Sequence, residues 1–153
     1  MTRAIDDSGL YMLLLRVRRA EKIVIHRHAY RLPAGWYVYV GSAQRGLRAR
    51  IARHLRAHKR MHWHIDYLRK IAEIEAVRTL AGAPQEEEAR LARAWCEAAE
   101  LMPIPKFGAS DSAAPSHLVG FRRRAAVLRQ PMWQRAAAYL IDPSDRSAYK
   151  MPK

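Results

Sequence analysis

Arg50 and His54 combine two side-chain types that suit chemistry on a phosphate group. They lie in a segment, residues 45–60, that is rich in Lys and Arg and contains no acid. The apolar residues of this segment recur every four positions, as in one stripe of an amphipathic helix: Leu47, Ile51 and Leu55. Arg50 and His54 each precede a member of the stripe, so we expect them on its flank, where a helix held by the core presents polar groups to a cleft. A guanidinium binds phosphate through two N–H groups, and an imidazole relays protons or binds phosphate.

Three consecutive glutamates, Glu86, Glu87 and Glu88, offer carboxylates at the start of a later helix. Pro84 suits the first turn of a helix, and acidic side chains suit its positive N-terminus. The apolar stripe of this predicted helix consists of Leu91, Trp95, Ala98 and Met102. At about 100° per residue, Glu86 points away from the stripe towards solvent, whereas Glu87 and Glu88 flank it on either side. The geometry therefore leaves Glu87 and Glu88 as the candidates for a carboxylate that lies beside the core rather than in solvent.

His62, His64 and Asp66 have the side-chain types of a transition-metal site. On a strand the three would share a face, whereas on a helix they would not. Apolar residues at helical spacing favour a helix over 62–71: Ile65, Leu68 and Ala72. A zinc site is therefore the weaker alternative. We expect this helix to pack against the one that carries Arg50, with His62 or His64 reaching the same cleft and Asp66 orienting a histidine or an arginine.

The strands that must position these helices are predicted from apolar runs. Leu10–Val17 is continuously apolar, and Ile23–Tyr30 follows a polar turn, so the two are predicted to form an antiparallel hairpin. Trp36–Val40 predicts a third strand, which Gly41 and Ser42 should end. Ile74–Leu80 alternates and predicts an edge strand. Together with the helices, this pattern predicts an α/β protein of the α+β type, with a small, mainly antiparallel three-stranded sheet flanked by helices.

The chain is expected to divide at about residue 120. A domain over residues 1–120 would be followed by a basic C-terminal extension, residues 121–153, that is partly helical, with a helical piece from Trp133 to Ile141. Pro103 should end the helix that begins near the glutamates. At 153 residues the chain has room for one core.

The charge balance predicts an anionic partner. Lys and Arg number 28 against 14 Asp and Glu, a formal net charge of +14, which usually serves to meet a polyanion. Nucleic acid is the first candidate, and an anionic membrane surface is the second. A single cysteine, Cys96, excludes an internal disulfide and suits a reducing compartment. Without a signal peptide or a membrane span in the sequence, we expect a cytoplasmic protein, with association to the nucleoid compatible with its charge.

Two tripeptides on the early strands carry a resemblance to a known family: Gly9-Leu10-Tyr11 and Tyr39-Val40-Gly41. Their order, followed by the helix with Arg50 and His54, resembles the GIY-YIG nuclease superfamily. More closely, the chain resembles a branch of small proteins of poorly defined function, over roughly Gly9 to Leu118. The branch pattern appears here as Gly35-Trp36-Tyr37-Val38-Tyr39-Val40-Gly41-Ser42-Ala43, Gly46-Leu47 with Arg50 and Arg53-His54-Leu55, His62-Trp63-His64-Ile65-Asp66-Tyr67-Leu68, Phe107-Gly108 with Ser110-Asp111, and Ser116-His117-Leu118.

The resemblance implies a metal-dependent endonuclease that hydrolyses nucleic-acid phosphodiester bonds, with Mg²⁺ or Mn²⁺ as cofactor. Tyr39 would activate the attacking water, a role that needs a nearby cation or metal because a phenol has an ordinary pKa of about 10. Tyr11 would position water or phosphate. Arg50 would bind the phosphate as a bidentate cation, and His54 would relay protons or contact phosphate.

The resemblance also implies a glutamate that binds the metal from the later helix. The branch usually reads Glu-Cys-x-Leu-Ala, which Glu88-Ala89-Arg90-Leu91-Ala92 matches except at the cysteine. Glu88 is therefore the predicted metal ligand, with Glu87 in reserve, and a single carboxylate with waters suits Mg²⁺. Substrate contacts are expected from Gly41, Ser42, Arg53, His62 and His64. Further cysteines of the branch are here Ser112 and Ala114, so we expect no thiol or zinc function.

Three functions compete at this point. The first is a Mg²⁺-dependent endonuclease acting on DNA in repair or processing. The second is a non-catalytic nucleic-acid-binding module that keeps the fold and the charge. The third is an accessory domain that contacts a repair protein, since the branch resembles domains that are sometimes fused to glycosylase-type repair proteins. DNA against RNA, the target structure and the oligomeric state are left open by the sequence.

Overall fold

The first strand forms the centre of the fold because it is apolar on both faces. The computed structural model describes residues 7–56, 60–61, 63–109 and 112–141. The elements in chain order are β1 Gly9–Val17, β2 Glu21–Ile25, β3 His28–Leu32, β4 Gly35–Ala43, α1 Leu47–Leu55, α2 His64–Leu68, β5 Glu73–Ala81, α3 Glu87–Ala98, β6 Leu118–Phe121, α4 Arg124–Leu128, α5 Pro131–Gln134 and β7 Ala137–Ala138. This arrangement confirms the predicted α+β class with an antiparallel sheet flanked by helices.

The main sheet has five strands rather than the three predicted. Its order is β6-β4-β1-β5-β7, and every neighbouring pair is antiparallel. Strand β5 was predicted as an edge strand, but it lies between β1 and the two-residue β7. The two short strands at the sheet ends carry too few residues for a periodic signal, which is why the sequence pattern did not indicate them.

The predicted pairing of the first two apolar runs is wrong. Strand β1 pairs with β4 and β5, whereas β2 pairs with β3 in a separate two-stranded sheet. Two residues with positive φ, His26 (48°) and Arg27 (73°), form the turn of this β2–β3 hairpin. Positive φ at both central residues is typical of the tight turn whose twist matches paired strands. A strand with two apolar faces needs covering on both sides, so β1 belongs in the sheet centre rather than in a lone hairpin.

The two faces of the sheet pack against different helices. On the first face, the odd-numbered residues of β1 meet the hairpin, α1 and α2, as shown by the buried side chains Leu13, Leu15, Ile23, Ile51 and Leu68. On the second face, the even-numbered residues meet α3, α4 and α5, as shown by Met12, Leu14, Trp95, Val127 and Trp133. The alternation in β1 thus builds two apolar layers.

Several predicted element ends differ from those in the structure. Gly41 and Ser42 do not end β4, which continues to Ala43. Helix α3 ends at Ala98, ahead of Pro103, so Met102 lies outside the helix and is 37% exposed rather than part of its stripe. The helix predicted from Trp133 to Ile141 is wrong beyond its first residues, because α5 ends at Gln134 and β7 follows.

The segment after Phe121 contributes to the core as far as residue 136. Ala126, Val127, Trp133 and Ala136 are buried in the second layer, and Arg78 of β5 donates hydrogen bonds to the carbonyls of Trp133 and Ala136. Residues 142–153 of the predicted extension lie outside the described residues. Within the described ranges, no helix is long and apolar enough to cross a membrane.

Candidate active site

A cavity of about 470 Å³ opens where the paired strands β1 and β4 meet helices α1 and α3. Seven of the predicted site residues line it: Tyr11, Tyr39, Gly41, Ser42, Arg50, His64 and Glu88. Four residues that were not assigned a role also line it: His26, Trp63, Gln85 and Gly108. The fold therefore brings together residues that are up to 97 positions apart in sequence, from Tyr11 to Gly108.

The two tyrosines share one face of the sheet. Tyr11 pairs with Gly41 and Tyr39 pairs with Leu13 across the β1–β4 ladder, so the tyrosines are diagonal neighbours with ring centroids 6.4 Å apart. Gly41 gives the Tyr11 ring its space, because a Cβ at this position would overlap the Cζ and hydroxyl oxygen of Tyr11. The glycine that was predicted to end the strand instead accommodates the phenol.

Burial raises the pKa of both phenols. Tyr11 and Tyr39 are 2% and 9% exposed. Desolvation is the largest cause of the raised pKa of each tyrosine, and Arg50 offsets part of it by its positive charge. In the protein alone both phenols therefore keep their protons at neutral pH. The role predicted for Tyr39 depends on further positive charge arriving beside it.

His54 lies behind Tyr11 rather than in the cavity. It is fully buried, and its Nε2 lies 2.7 Å from the Tyr11 hydroxyl oxygen. The two residues predicted on the polar flank of α1 thus have different surroundings, because Arg50 lines the cavity and His54 does not. This position suits a proton relay through Tyr11 and does not suit direct contact between His54 and a phosphate.

Arg50 is held between a backbone carbonyl and an aromatic ring. Its Nη1 donates a hydrogen bond of 3.1 Å to the Ser42 carbonyl oxygen, and its guanidinium carbon lies 4.6 Å from the centroid of the Trp63 ring. A planar guanidinium fixed in this way retains donors for an anion in the cavity.

Glu88 is the carboxylate that reaches the cavity. Its Oε1 accepts a hydrogen bond of 2.6 Å from the Ser42 hydroxyl, and its Oε2 lies 3.2 Å from Nδ1 of His117. Burial alone would raise the pKa of Glu88, but the hydrogen bonds from His117 and Ser42 and the charge of Arg50 hold it below its ordinary value. The side chain is therefore ionised at neutral pH. Glu87 lines a different cavity, of about 580 Å³, and pairs with Arg90.

His117 is a site residue that sequence reasoning did not assign. Its Nδ1 lies 3.2 Å from both the Glu88 carboxylate and the Val40 carbonyl oxygen, so this nitrogen carries a proton. Its Nε2 lies 2.9 Å from the Ser112 hydroxyl. The available signal was the string Ser116-His117-Leu118, which belongs to the branch pattern, but nothing in the sequence connects it to Glu88.

Arg53 does not line the cavity. Its guanidinium makes two hydrogen bonds, of 2.9 and 3.0 Å, to the carboxylate of the fully buried Asp66. Asp66 also accepts the Trp63 backbone N–H at 2.9 Å. Asp66 therefore orients an arginine, as expected. The same contact explains why Arg53 is not placed for the substrate contact predicted for it.

His64 reaches the cavity from the start of α2. Its Nδ1 accepts the backbone N–H of Gly108 at 2.8 Å, and its ring lies 5.9 Å from that of His26 at the hairpin tip. Desolvation by burial and the neighbouring His26 lower the pKa of His64. His62, which was predicted as a substrate contact, lies outside the described residues.

The donor atoms fit a hydrated divalent ion better than a metal held wholly by protein. Among the described residues that line the cavity, Glu88 is the one carboxylate. Within the same ranges no three His, Cys, Asp or Glu side chains cluster in a way that would hold a metal. Each Glu88 oxygen keeps a lone-pair direction beyond its present hydrogen bond. Mg²⁺ usually takes one or two carboxylates and keeps several waters, so this donor set fits Mg²⁺.

Comparison with known protein families gives a match over most of the chain. The family model described as Domain of unknown function DUF123 matches residues 10–136. The match includes every residue named in the cavity and the buried segment that follows Phe121. No curated protein and no solved structure matches the chain.

Proposed function

The chain belongs to the family described as Domain of unknown function DUF123, and from its site we propose that it is a GIY-YIG-type endonuclease. It would hydrolyse phosphodiester bonds in DNA, with Mg²⁺ or Mn²⁺ as cofactor, during repair or processing. One observation supports this most strongly. Tyr11, Tyr39, Arg50 and Glu88, which come from four different elements, line one cavity.

The cavity separates positive and negative groups as phosphoryl chemistry requires. Ser42 connects the two sides, since its carbonyl accepts from Arg50 and its hydroxyl donates to Glu88. Arg50 would bind the phosphate oxygens of the substrate and stabilise the charge that builds on them. Glu88 would hold the divalent ion, which when bound supplies charge neutralisation and lowers the pKa of water.

The two phenols would act as positioned hydroxyl groups. Tyr39 would hold the attacking water by a hydrogen bond. It would accept a proton from this water only as a phenolate, after losing its own proton to solvent when cationic charge beside it lowers the pKa of the phenol. Tyr11 would orient the phosphate or the water, and any proton that it takes up can pass to Nε2 of His54, 2.7 Å away. Trp63 would keep Arg50 flat against its ring while the substrate binds.

A non-catalytic nucleic-acid-binding module is the second candidate. The observation that favours it is the raised pKa of both tyrosines, which leaves neither phenol able to act as a base in the protein alone. A module of this kind would keep the net charge of +14 and bind nucleic acid without cutting it.

A nuclease assay with matched variants distinguishes the two. Supercoiled, branched and single-stranded DNA would be incubated with Mg²⁺ or Mn²⁺, and binding would be measured separately in a chelating buffer. We expect Tyr39→Phe and Glu88→Ala each to lower the cleavage rate by roughly 10²- to 10⁴-fold, as when an acid–base or metal-binding group is lost. Binding should persist in both variants.

Two neighbouring residues provide controls. Tyr37→Phe removes a hydroxyl that donates to the Pro33 carbonyl outside the cavity, and Glu87→Ala removes a carboxylate from the other cavity. Both should cut DNA at nearly the rate of the unmodified chain. Equal cleavage by Tyr39→Phe, Glu88→Ala and the unmodified chain would refute the site. Tight binding without any cleavage would favour the non-catalytic module.

A further inference from the structure

The outward face of the β2–β3 hairpin carries positive charge that the proposed mechanism does not use. The strands alternate, so Ile23, Ile25 and Leu32 are buried while Lys22, Val24, Ala29 and Arg31 face outwards and are exposed. The turn adds Arg27, which is also exposed. The acid of this hairpin, Glu21, is half-buried on the inner side and contacts Arg19 at 3.8 Å.

The cations on this face repel one another. Lys22 and Arg31 pair directly across the strands. Like charges at such a position, with Cβ atoms about 4.5–5.5 Å apart, destabilise a sheet. Among the residues that the structure describes, Lys22, Arg27 and Arg31 contact no carboxylate. A cross-strand pair of this kind is relieved when an anion lies over it.

The hairpin points this charge towards the cavity. His26, in the turn, lines the cavity, and its ring lies 5.9 Å from that of His64 and 5.7 Å from that of Tyr67. Between the turn and the Lys22–Arg31 pair lie only Val24 and Ala29 on the outward face, and Val24 is 52% exposed. The outward face thus runs from a charged pair through a short apolar stretch to a charged turn, and His26 of this turn lines the cavity.

We propose that this outward face binds the phosphate backbone of duplex DNA and leads one strand of it to the cavity. The inference rests on the proposed function, because it takes the cavity as the place where a phosphate is bound. Charge complementarity selects the occupant, since the face has cations and no acid and its apolar stretch allows a backbone to approach closely.

The hairpin is long enough to contact more than one phosphate of a nucleic-acid strand. Lys22 and His26 are four positions apart, which corresponds to about 14 Å at about 3.4 Å per residue. Each strand of duplex DNA places a phosphate about every 3.4 Å along the helix axis. Because the strand winds around this axis, its consecutive phosphates lie further apart than the axial rise, so Lys22 and Arg31 would contact a phosphate only a few nucleotides from the one in the cavity, and Arg27 would contact a phosphate nearer to it.

The salt dependence of DNA binding tests this path without requiring cleavage. The affinity for a labelled duplex would be measured in a chelating buffer over a series of salt concentrations for the unmodified chain, Arg27→Ala and Lys22→Ala/Arg31→Ala. Log affinity falls as log salt rises, and each lost phosphate contact decreases the steepness of this slope by about 0.9. We expect the steepness of the slope to decrease by about 1 for the single variant and by about 2 for the double variant.

A matched control removes the same charge from the other side of the sheet. Arg93 and Arg129 are exposed on α3 and just after α4, which cover the second face. The variant Arg93→Ala/Arg129→Ala should keep the slope of the unmodified chain. Thermal unfolding should show that Lys22→Ala/Arg31→Ala is at least as stable as the unmodified chain, because the substitution removes a repulsive pair.

The outcomes separate this inference from the proposed function. An unchanged slope in Lys22→Ala/Arg31→Ala, or an equal decrease in the control, overturns the hairpin path whether or not the protein cuts DNA. The expected decreases combined with no cleavage support the hairpin path and count against the nuclease. Tighter binding to duplex RNA or to anionic vesicles than to DNA, with the same hairpin dependence, overturns the choice of DNA.

Discussion

Gly41 fixes the position of Tyr11 by having no side chain. The two residues pair across β1 and β4, and the Tyr11 ring lies directly over the glycine. The backbone of Gly41 is not in the left-handed region, so its conformation would accept alanine, and the constraint is the space alone. The tripeptides that motivated the sequence resemblance therefore have a physical connection, since a residue of one accommodates the tyrosine of the other.

A double-mutant cycle tests this contact. Gly41→Ala should lower the free energy of unfolding by about 1–3 kcal/mol, because the added methyl group overlaps the Tyr11 ring. In the Tyr11→Leu background the same substitution should cost much less, since the ring that it would overlap is gone. Chemical denaturation of the four proteins measures the coupling. Equal costs in the two backgrounds would show that the Tyr11 ring does not lie over Gly41.

Helix geometry narrowed the choice among the three glutamates, but it did not by itself identify Glu88 as the one that reaches the cavity. The helical wheel excluded Glu86, which is exposed, and left Glu87 and Glu88 on opposite flanks of the stripe. The structure separates these two because the flank of Glu88 meets Ser42 and His117, whereas that of Glu87 meets another cavity. The decisive contacts come from residues 46 positions before and 29 positions after Glu88, beyond the reach of any local pattern.

Helix α1 is held in position by an arginine from outside the helix. Arg69, just after α2, is 6% exposed, and its guanidinium donates hydrogen bonds to the carbonyls of His54, Leu55 and Ala72. The first two carbonyls belong to the last turn of α1, where the helix itself offers no partner. Arg69 thereby connects α2 to the helix that carries Arg50 and His54.

Replacing this arginine should loosen the site as well as the fold. We expect Arg69→Met to lower the free energy of unfolding by about 2–4 kcal/mol, because buried carbonyls lose charged hydrogen-bond donors. Lys70→Met, at the exposed neighbouring position, should change it by less than about 0.5 kcal/mol. Thermal and denaturant unfolding would measure both. A cost for Arg69→Met as small as that for Lys70→Met would contradict the capping role.

The whole molecule consists of two apolar layers that share the main sheet. The first layer holds the hairpin, α1 and α2 beside the cavity, and the second holds α3, α4 and α5. Helix α3 contributes to both the core and the cavity, because Leu91 and Trp95 are buried in the second layer while Glu88 faces the cavity. The packing of the second layer therefore sets where the carboxylate lies.

Truncation tests whether the second layer depends on the segment after Phe121. A chain ending at Phe121 loses the buried residues Ala126, Val127, Trp133 and Ala136. Loss of one buried tryptophan side chain alone costs about 3–5 kcal/mol, a large part of the stability of about 5–15 kcal/mol that is typical of native proteins. We expect this truncated chain to lose cooperative thermal unfolding by circular dichroism.

A second truncation provides the control. A chain ending at Ile141 keeps all of these buried side chains and should unfold cooperatively near the melting temperature of the full chain. Cooperative unfolding of the chain ending at Phe121 at a similar temperature would show that residues 122–136 are dispensable for the core.

The sequence by itself determined the local features of this protein. Apolar spacing indicated α1, α2 and α3 and the strand character of β1, β4 and β5, and the excess of Lys and Arg fixed the strongly positive net charge. These properties depend on neighbouring residues or on sums over the chain, so they can be read without a structure. The resemblance to a known family pattern added the candidate site residues.

Only the tertiary structure decided which elements pair and which candidates meet. It placed β1 between β4 and β5, buried His54 behind Tyr11, paired Arg53 with Asp66 and brought His117 to Glu88. Each of these outcomes depends on contacts between residues distant in sequence, where several partners have the same local compatibility. The choice among them is made by the packing of both sheet faces at once, which no segment of the sequence encodes alone.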